Sequence, residues 1–145
     1  MNTSALKMLL VRHEGCVLHA YEDSLGFTTI GVGRLIDERR GGGITLAEAM
    51  MLLDNDIQRI EHALDERLPW WRELDDQQQM VLAAMAFQLG IDGLMQFKNT
   101  LAAMKDKRWA DAALGMRRSL WYRQTPRRAE EMAVMLETGQ MAESV

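Results

Sequence analysis

The sequence predicts an α+β fold that is mainly helical, with one small strand-rich segment near its start. Three observations carry that reading. β-Branched and aromatic residues gather between Val17 and Val32, and the apolar residues beyond the run Gly41-Gly42-Gly43 recur at helical spacing. Two capping pairs and a Thr-Pro step punctuate the helical part.

Residues 4–14 set Leu6, Leu9, Leu10 and His13 at i, i+3, i+4 and i+7, an amphipathic stripe, and Gly15 stands where a helix commonly ends. In 17–32, Val17, Tyr21, Phe27, Thr28, Thr29, Ile30 and Val32 favour strands, and Asp23-Ser24-Leu25-Gly26 reads as a tight turn. This is a β-hairpin with a short third strand near Arg34 to Ile36, closed by the flexible loop Arg40-Gly41-Gly42-Gly43. Thr45 and Glu48 form a capping box ahead of Met50, Leu53, Ile57, Ile60 and Leu64, so a long helix starts near Leu46, runs past Glu66 and stops before Pro69. At ~1.5 Å per residue it spans about 30 Å, enough to join two lobes.

Asp75 with Gln78 caps a helix whose stretch 81–87 is wholly apolar and belongs in a core. Gly90, Gly93 and polar breaks near Lys98 and 105–108 divide the remainder of the chain into short helices. Thr125-Pro126 opens the last helix with a capping hydroxyl and a proline at its first position, and that helix ends near Gly139. The twelve methionines, at helical spacing, read as adaptable core filling.

Composition sets the outer bounds. A chain of 145 residues, 48% hydrophobic and 26% charged, makes one soluble globular domain, here with a small lobe at about 15–55 and a helical lobe from about 1–14 plus 65–145. Cys16 stands alone, which excludes an internal disulfide and suits a reducing cytosol. No apolar run approaches the ~18 residues of a membrane span, and residues 1–10, with Lys7 as their one charge, do not read as a secretory signal. The net charge of −4 argues against a nucleic-acid partner. Between Arg117 and Arg128, however, stand five arginines and no acid: either a patch for an anionic polymer or a solvated helix face.

Three residues together suggest chemistry. Glu14 closes the first helix, where the negative end of the helix dipole and partial burial both disfavour the charged carboxylate, as a general acid requires. Taken alone it could equally be an acid at a frayed helix end. Asp23, at the start of the hairpin turn, could hold a water as a base or simply bond its own backbone. Thr29 lies on the strand face opposite Ile30 and Val32, in open space between glycines, where a hydroxyl could orient a water or serve as an ordinary β-former. An acid on a helix end facing an Asp and a Thr on a hairpin is the layout of a glycosidase cleft.

His13-Glu14-Gly15, Tyr21-Glu22-Asp23 and Thr28-Thr29-Ile30-Gly31-Val32-Gly33 resemble the catalytic region of the T-even phage lysozymes, glycoside hydrolase family 24. Phe87-Gln88-Leu89-Gly90, Arg108-Trp109-Ala110-Asp111-Ala112-Ala113 and Trp121-Tyr122-Arg123-Gln124-Thr125-Pro126-Arg127-Arg128-Ala129 extend the resemblance, in order, over nearly the whole chain. It implies a lysozyme-like fold, a small hairpin lobe and a larger helical lobe joined by the long helix. It implies an inverting muramidase that cuts the β-1,4 bond between N-acetylmuramic acid and N-acetylglucosamine, with Glu14 as acid, Asp23 as base and Thr29 helping to place the water. Substrate contacts would come from Phe27, Gly33, Gln88, Phe97 and Arg128, the last matching an arginine that sits beside the family's catalytic Glu. No cofactor and no metal are implied. The partner is the peptidoglycan glycan strand, and the protein would be a monomer made in the host cytoplasm. It would reach the periplasm through a holin or another export route, for host-cell lysis.

The chain also departs from the pattern. Arg34 replaces the usual His, and its expected partner is Asp56; the stretch 34–44 is short; Ala84 replaces a family asparagine. A cysteine enzyme using Cys16 with His13 or His19 is disfavoured because a helix C-terminus raises a thiol pKa. His13, His19 and His62 lack HExxH spacing, and His62 reads as a surface residue. A non-catalytic peptidoglycan-binding module and a lytic transglycosylase remain as alternatives.

Overall fold

The computed structural model describes residues 1–37, 39 and 41–139, mainly helical with one three-stranded antiparallel sheet. Contacts divide the chain into two compact units, Met1–Leu52 and Leu53–Val145.

In the first unit, helix α1 (Thr3–Glu14) is opened by Asn2, whose side chain accepts from the Ala5 N–H at 3.0 Å, and closed by Gly15. The stripe on α1 does not become a core face, since none of its residues is buried. In the contact division α1 groups with the strands rather than with the C-terminal helices. Strands β1 (Val17–Glu22), β2 (Thr28–Gly31) and β3 (Arg34–Leu35) pair in the order β1-β2-β3, with Tyr21 opposite Thr29 and Ile30 opposite Arg34. A register shift between Val17 and Tyr21 marks a bulge in β1.

Helix α2 (Leu46–Arg67) starts at the expected capping box: Glu48 accepts from the Thr45 N–H at 2.9 Å, and Thr45 Oγ1 accepts from the Glu48 N–H at 3.1 Å. The boundary between the units falls inside α2. The expected Arg34–Asp56 pair is not formed. Arg34 pairs with Glu48, which the capping box holds in place, and Asp56 pairs with Arg59 one turn along its own helix.

The second unit holds the apolar core. A 3-10 turn (Pro69–Glu73) comes after α2, then α3 (Asp76–Met95), α4 (Lys98–Lys105), α5 (Trp109–Arg117), α6 (Leu120–Gln124) and α7 (Pro126–Thr138). Helix α5 packs on α4 and α7, and α7 also packs on α3 and α6. Leu64, Val81, Leu82, Met85, Leu94, Met104, Met116 and Leu136 are fully enclosed. Methionine thus fills the core at three of these positions, while Met8, Met50, Met51 and Met80 are exposed.

Helix α3 is opened by the expected Asp75/Gln78 box and broken at Gly90, which takes φ 74° and ψ 162°. At the other end Pro126 takes the first position of α7 and Gly139 ends it in the left-handed conformation. The Thr125 hydroxyl does not cap α7. It donates instead to the Trp121 carbonyl at 3.1 Å, closing α6. Arg117 on α5 makes two bonds to Glu130 and a further one to Glu137, both on α7, and Tyr122 Oη donates to Glu130 at 2.9 Å. His62 lies on the surface beside Glu66, and Cys16 is exposed.

Candidate active site

Glu14, Asp23 and Thr29 all belong to the first unit, and its three-stranded sheet organises them. Gly15 turns the chain out of α1 with φ 76°, donating its N–H to the Val11 carbonyl at 2.8 Å. The Glu14 carboxylate lies against the turn that joins β2 to β3. A Cβ built on Gly33 would stand 2.8 Å from Glu14 Oε2 and 3.1 Å from its carboxyl carbon. Gly33, at φ 71°, therefore makes the sharp turn and leaves the space that the carboxylate fills. The partial burial expected of Glu14 is not found; the side chain is exposed, because α1 buries none of its residues.

Asp23 comes directly after β1. Its Oδ1 accepts the N–H groups of Leu25 at 2.9 Å and Phe27 at 2.8 Å, while its backbone N–H donates to the Phe27 carbonyl at 2.8 Å. The turn role and the chemical role considered for this residue are thus compatible. One oxygen holds the turn, and Oδ2 has no protein donor among the described residues.

Thr29 departs from its expected setting. It does not face open space but is buried, at 2% exposure the only buried residue among those described in Met1–Leu52. Two neighbouring strands flank it, with Tyr21 on one side and Leu35 on the other. Its hydroxyl donates to the Phe27 carbonyl at 2.9 Å. The Phe27 backbone therefore ties the base and the hydroxyl together: its N–H goes to Asp23, and its carbonyl takes both the Asp23 N–H and the Thr29 hydroxyl. With its proton so committed, Thr29 offers a water only an acceptor. The Phe27 ring itself is 37% exposed and lies under the Arg39 guanidinium, which also pairs with Asp37.

The other expected substrate contacts lie in the second unit. Gln88 is half-buried, and its Oε1 accepts from the Trp121 indole at 2.9 Å, so one end of its amide is committed to the fold. Phe97 packs edge-to-face on Trp121, with ring centroids 5.8 Å apart, and rests against the core. Arg128 is exposed, has no ion-pair partner among the described residues, and lines a groove of about 560 Å³ with Ile57, Ile60, Trp71, Met80, Ala84 and Phe87.

No motif in the sequence announces a second, polar pocket of about 610 Å³ at the start of α4. Gln96, Lys98, Asn99, Thr100, Asp111 and Arg118 line it. Thr100 is 4% exposed, and its hydroxyl makes no hydrogen bond among the described residues. The close approach of Gly115, where a Cβ would stand 2.5 Å from Thr100 Oγ1, is a signal that only the structure reveals. Among the described residues no group of three or more His, Cys, Asp or Glu is placed to hold a metal ion.

A carboxyl on a helix end lies beside a hairpin that fixes an aspartate and a hydroxyl through the Phe27 backbone, and these are the kind of side chains a carboxylate-pair glycoside hydrolase uses. Comparison with known proteins specifies the class further. The phage lysozyme family model matches residues 11–131. A protein of Dictyostelium discoideum named "Probable T4-type lysozyme 2" is 30% identical, over 97% of this chain and 98% of its own length; a second from that organism, "Probable T4-type lysozyme 1", is 28% identical over 94% and 95%. The "Pre-baseplate central spike protein Gp5" of Enterobacteria phage T4 is 32% identical over 97% of this chain, which spans 28% of that protein. The chain belongs to the phage lysozyme family. It is an enzyme, a lysozyme-type hydrolase of bacterial cell-wall peptidoglycan.

Proposed function

We propose that the enzyme cuts the β-1,4 bond between N-acetylmuramic acid and N-acetylglucosamine with inversion, Glu14 and Asp23 acting as its two carboxylates. The observation that carries this reading is the shared Phe27 peptide, which fixes Asp23 and Thr29 in one hairpin while the next turn seats Glu14. Glu14 gives its proton to the glycosidic oxygen as the bond to the anomeric carbon breaks. A water on the opposite face attacks that carbon. Asp23 Oδ2 takes one of its protons, and Thr29 Oγ1 accepts the other as a hydrogen bond. Inversion requires room for this water, a carboxyl separation of ~6.5–9.5 Å in the productive complex.

Gln88, through an amide nitrogen with no partner among the described residues, Phe27, Phe97, Gly33 and Arg128 are the contacts proposed for the glycan, and the polar pocket beside Thr100 suits a hydroxylated or N-acetylated sugar. The biological reading is host-cell lysis by a monomer made in the host cytoplasm, which meets the wall in the periplasm after release by a holin or another route. Among the described residues no single helix is long and apolar enough to cross a membrane.

Product analysis tests the reaction. Digested peptidoglycan should carry reducing N-acetylmuramic acid ends that are released as the α-anomer. Anhydro-muramic ends would instead make the protein a lytic transglycosylase, and binding to sacculi with no new ends would make it a non-catalytic module.

A further inference from the structure

Asp23 and Thr29 both depend on Phe27, so whatever holds Phe27 bears on the chemistry. Its N–H goes to Asp23 Oδ1, and its carbonyl takes the Asp23 N–H and the Thr29 hydroxyl. All three bonds reach Phe27 from within the hairpin. On the other side, the pairing of β2 with β3 extends as far as Thr28, whose carbonyl accepts from the Ile36 N–H at 3.0 Å. Among the described residues no backbone bond joins Phe27 to the β3 side. What meets it there is a side chain.

Beyond β3 the chain folds back as a loop closed by its own bonds. Gly43 donates to the Leu35 carbonyl at 3.0 Å and Gly42 to the Arg39 carbonyl at 2.7 Å. Gly42 has no room for a side chain, because a Cβ would run into the Asp37 carbonyl. This loop sets Asp37 and Arg39 together. Arg39 Nε donates to both Asp37 carboxylate oxygens at 2.9 Å, and the Arg39 backbone N–H donates to Oδ1 at 3.2 Å. The guanidinium so aimed lies over the Phe27 ring. The two charged side chains are 33% and 28% exposed, in a unit where Thr29 is the only buried residue described. An exposed ion pair by itself adds little to a fold. This one is largely covered, and a planar guanidinium on an aromatic face is a contact that an ammonium does not reproduce.

We infer that Arg39 is a positioning residue for the reaction: held by Asp37, it braces the Phe27 ring and, through it, the backbone groups that set Asp23 and Thr29. The proposal rests on the reading of Asp23 as the base. Among the described residues Arg39 pairs with Asp37 and not with Asp23, so it acts on the base by placement and not by ion pairing. If the ring tips, the Phe27 N–H and carbonyl tip with it. Asp23 Oδ2 and Thr29 Oγ1 then no longer meet the same water, and the attack on the anomeric carbon slows.

The test is a pair of rate measurements, kcat and KM on soluble, uncross-linked peptidoglycan strands, for Arg39→Ala made in the parent and in Phe27→Leu. Circular dichroism checks the fold; Arg39→Gln, which keeps a donor for Asp37 but no cation for the ring, serves should the alanine variant not fold. A displacement of about 0.5 Å at the base should lower kcat by on the order of tenfold, with KM nearly unchanged. Arg39→Lys should recover part of that loss, since it returns a cation to the ring. In Phe27→Leu, which has no ring to brace, removing Arg39 should change kcat little. The Leu25 and Phe27 amide protons, both donated to Asp23, should exchange faster in Arg39→Ala than in the parent. Parent kcat in folded Arg39→Ala would overturn the proposal. So would a rise in KM alone, the mark of a direct glycan contact, or equal kcat losses in the two backgrounds, the mark of loop support without the ring. Failure of the active-site reading would look different: Asp23→Asn would keep the parent rate. With Asp23→Asn inactive and Arg39→Ala fully active, only the role of Arg39 falls.

Discussion

Substituting Gly33 by alanine perturbs the acid without touching it. The new Cβ would stand 2.8 Å from Glu14 Oε2. A carbon–oxygen contact settles at about 3.3 Å or more, so the carboxylate must withdraw by roughly 0.5 Å. A misplacement of ~1 Å at a reacting group can cost about 100-fold in rate, so a loss of roughly tenfold is expected. The backbone adds a separate cost, because Gly33 sits at φ 71°, where a residue with a Cβ loses ~1–2 kcal/mol. For a protein of this size that lowers the melting temperature by roughly 3–7 °C. Gly41→Ala separates the two effects. At φ 87° it carries a similar backbone cost, but its Cβ meets nothing within 4 Å. Urea melts should show similar losses for the two variants. Initial rates of turbidity loss with permeabilised Gram-negative cells, measured well below both melting temperatures, should fall for Gly33→Ala alone. Equal lytic rates would refute the placement of the Glu14 carboxylate as the working acid.

Other substitutions probe the hairpin and the fold. Asp23→Asn keeps an acceptor for the Leu25 and Phe27 N–H groups, so the turn should survive while lysis falls ~100- to 10,000-fold; Thr29→Ala should lose less activity, and lysis by a folded Asp23→Asn protein at the parent rate would exclude the base. Glu48 is held down to about 2, first by Arg34 and then by the Thr45 N–H and hydroxyl. Because the folded value lies below the ordinary 4.5, the stabilisation is complete above that pH and is lost as pH falls toward 2. Melting followed from pH 5 to 2 should therefore drop less steeply in Glu48→Gln, and parallel curves would count against the pair. Hydrogen exchange should be faster in β1 and β2 than in α3, α5 and α7, because Thr29 is the only buried residue described in the first unit. Slower exchange in the strands would contradict that ordering.

Local signals read well from the sequence where one short-range interaction decides them. The Thr45/Glu48 and Asp75/Gln78 boxes, the stop at Gly15, the break at Gly90 and the left-handed end at Gly139 are each set by groups within a few residues of one another. The Asp23 turn belongs with them, since its bonds reach only to Leu25 and Phe27. Partnership across elements was less legible. Charge pattern suggested Asp56 for Arg34, and the pair forms with Glu48 instead, a side chain the capping box already fixes. Strand alternation put Thr29 on the face away from Ile30, but its burial depends on the strands to either side. A Thr-Pro step announces a helix start without saying whether the hydroxyl serves that helix or the one before it, and Thr125 serves α6. The polar pocket at α4 is assembled from two stretches, 96–100 and one face of α5, and no local signal says that these two meet.

Catalysis as proposed turns on the identity of the acid, and Glu14→Gln tests it most directly. The amide keeps the size of the side chain and removes its transferable proton. Purified peptidoglycan would be incubated with folded parent and variant proteins, and new reducing N-acetylmuramic acid ends counted over time. The parent should release them steadily and the variant at a rate ~100- to 10,000-fold lower, with an unchanged circular dichroism spectrum. Release by folded Glu14→Gln protein at the parent rate would contradict the assignment and move the search for the acid elsewhere in the molecule.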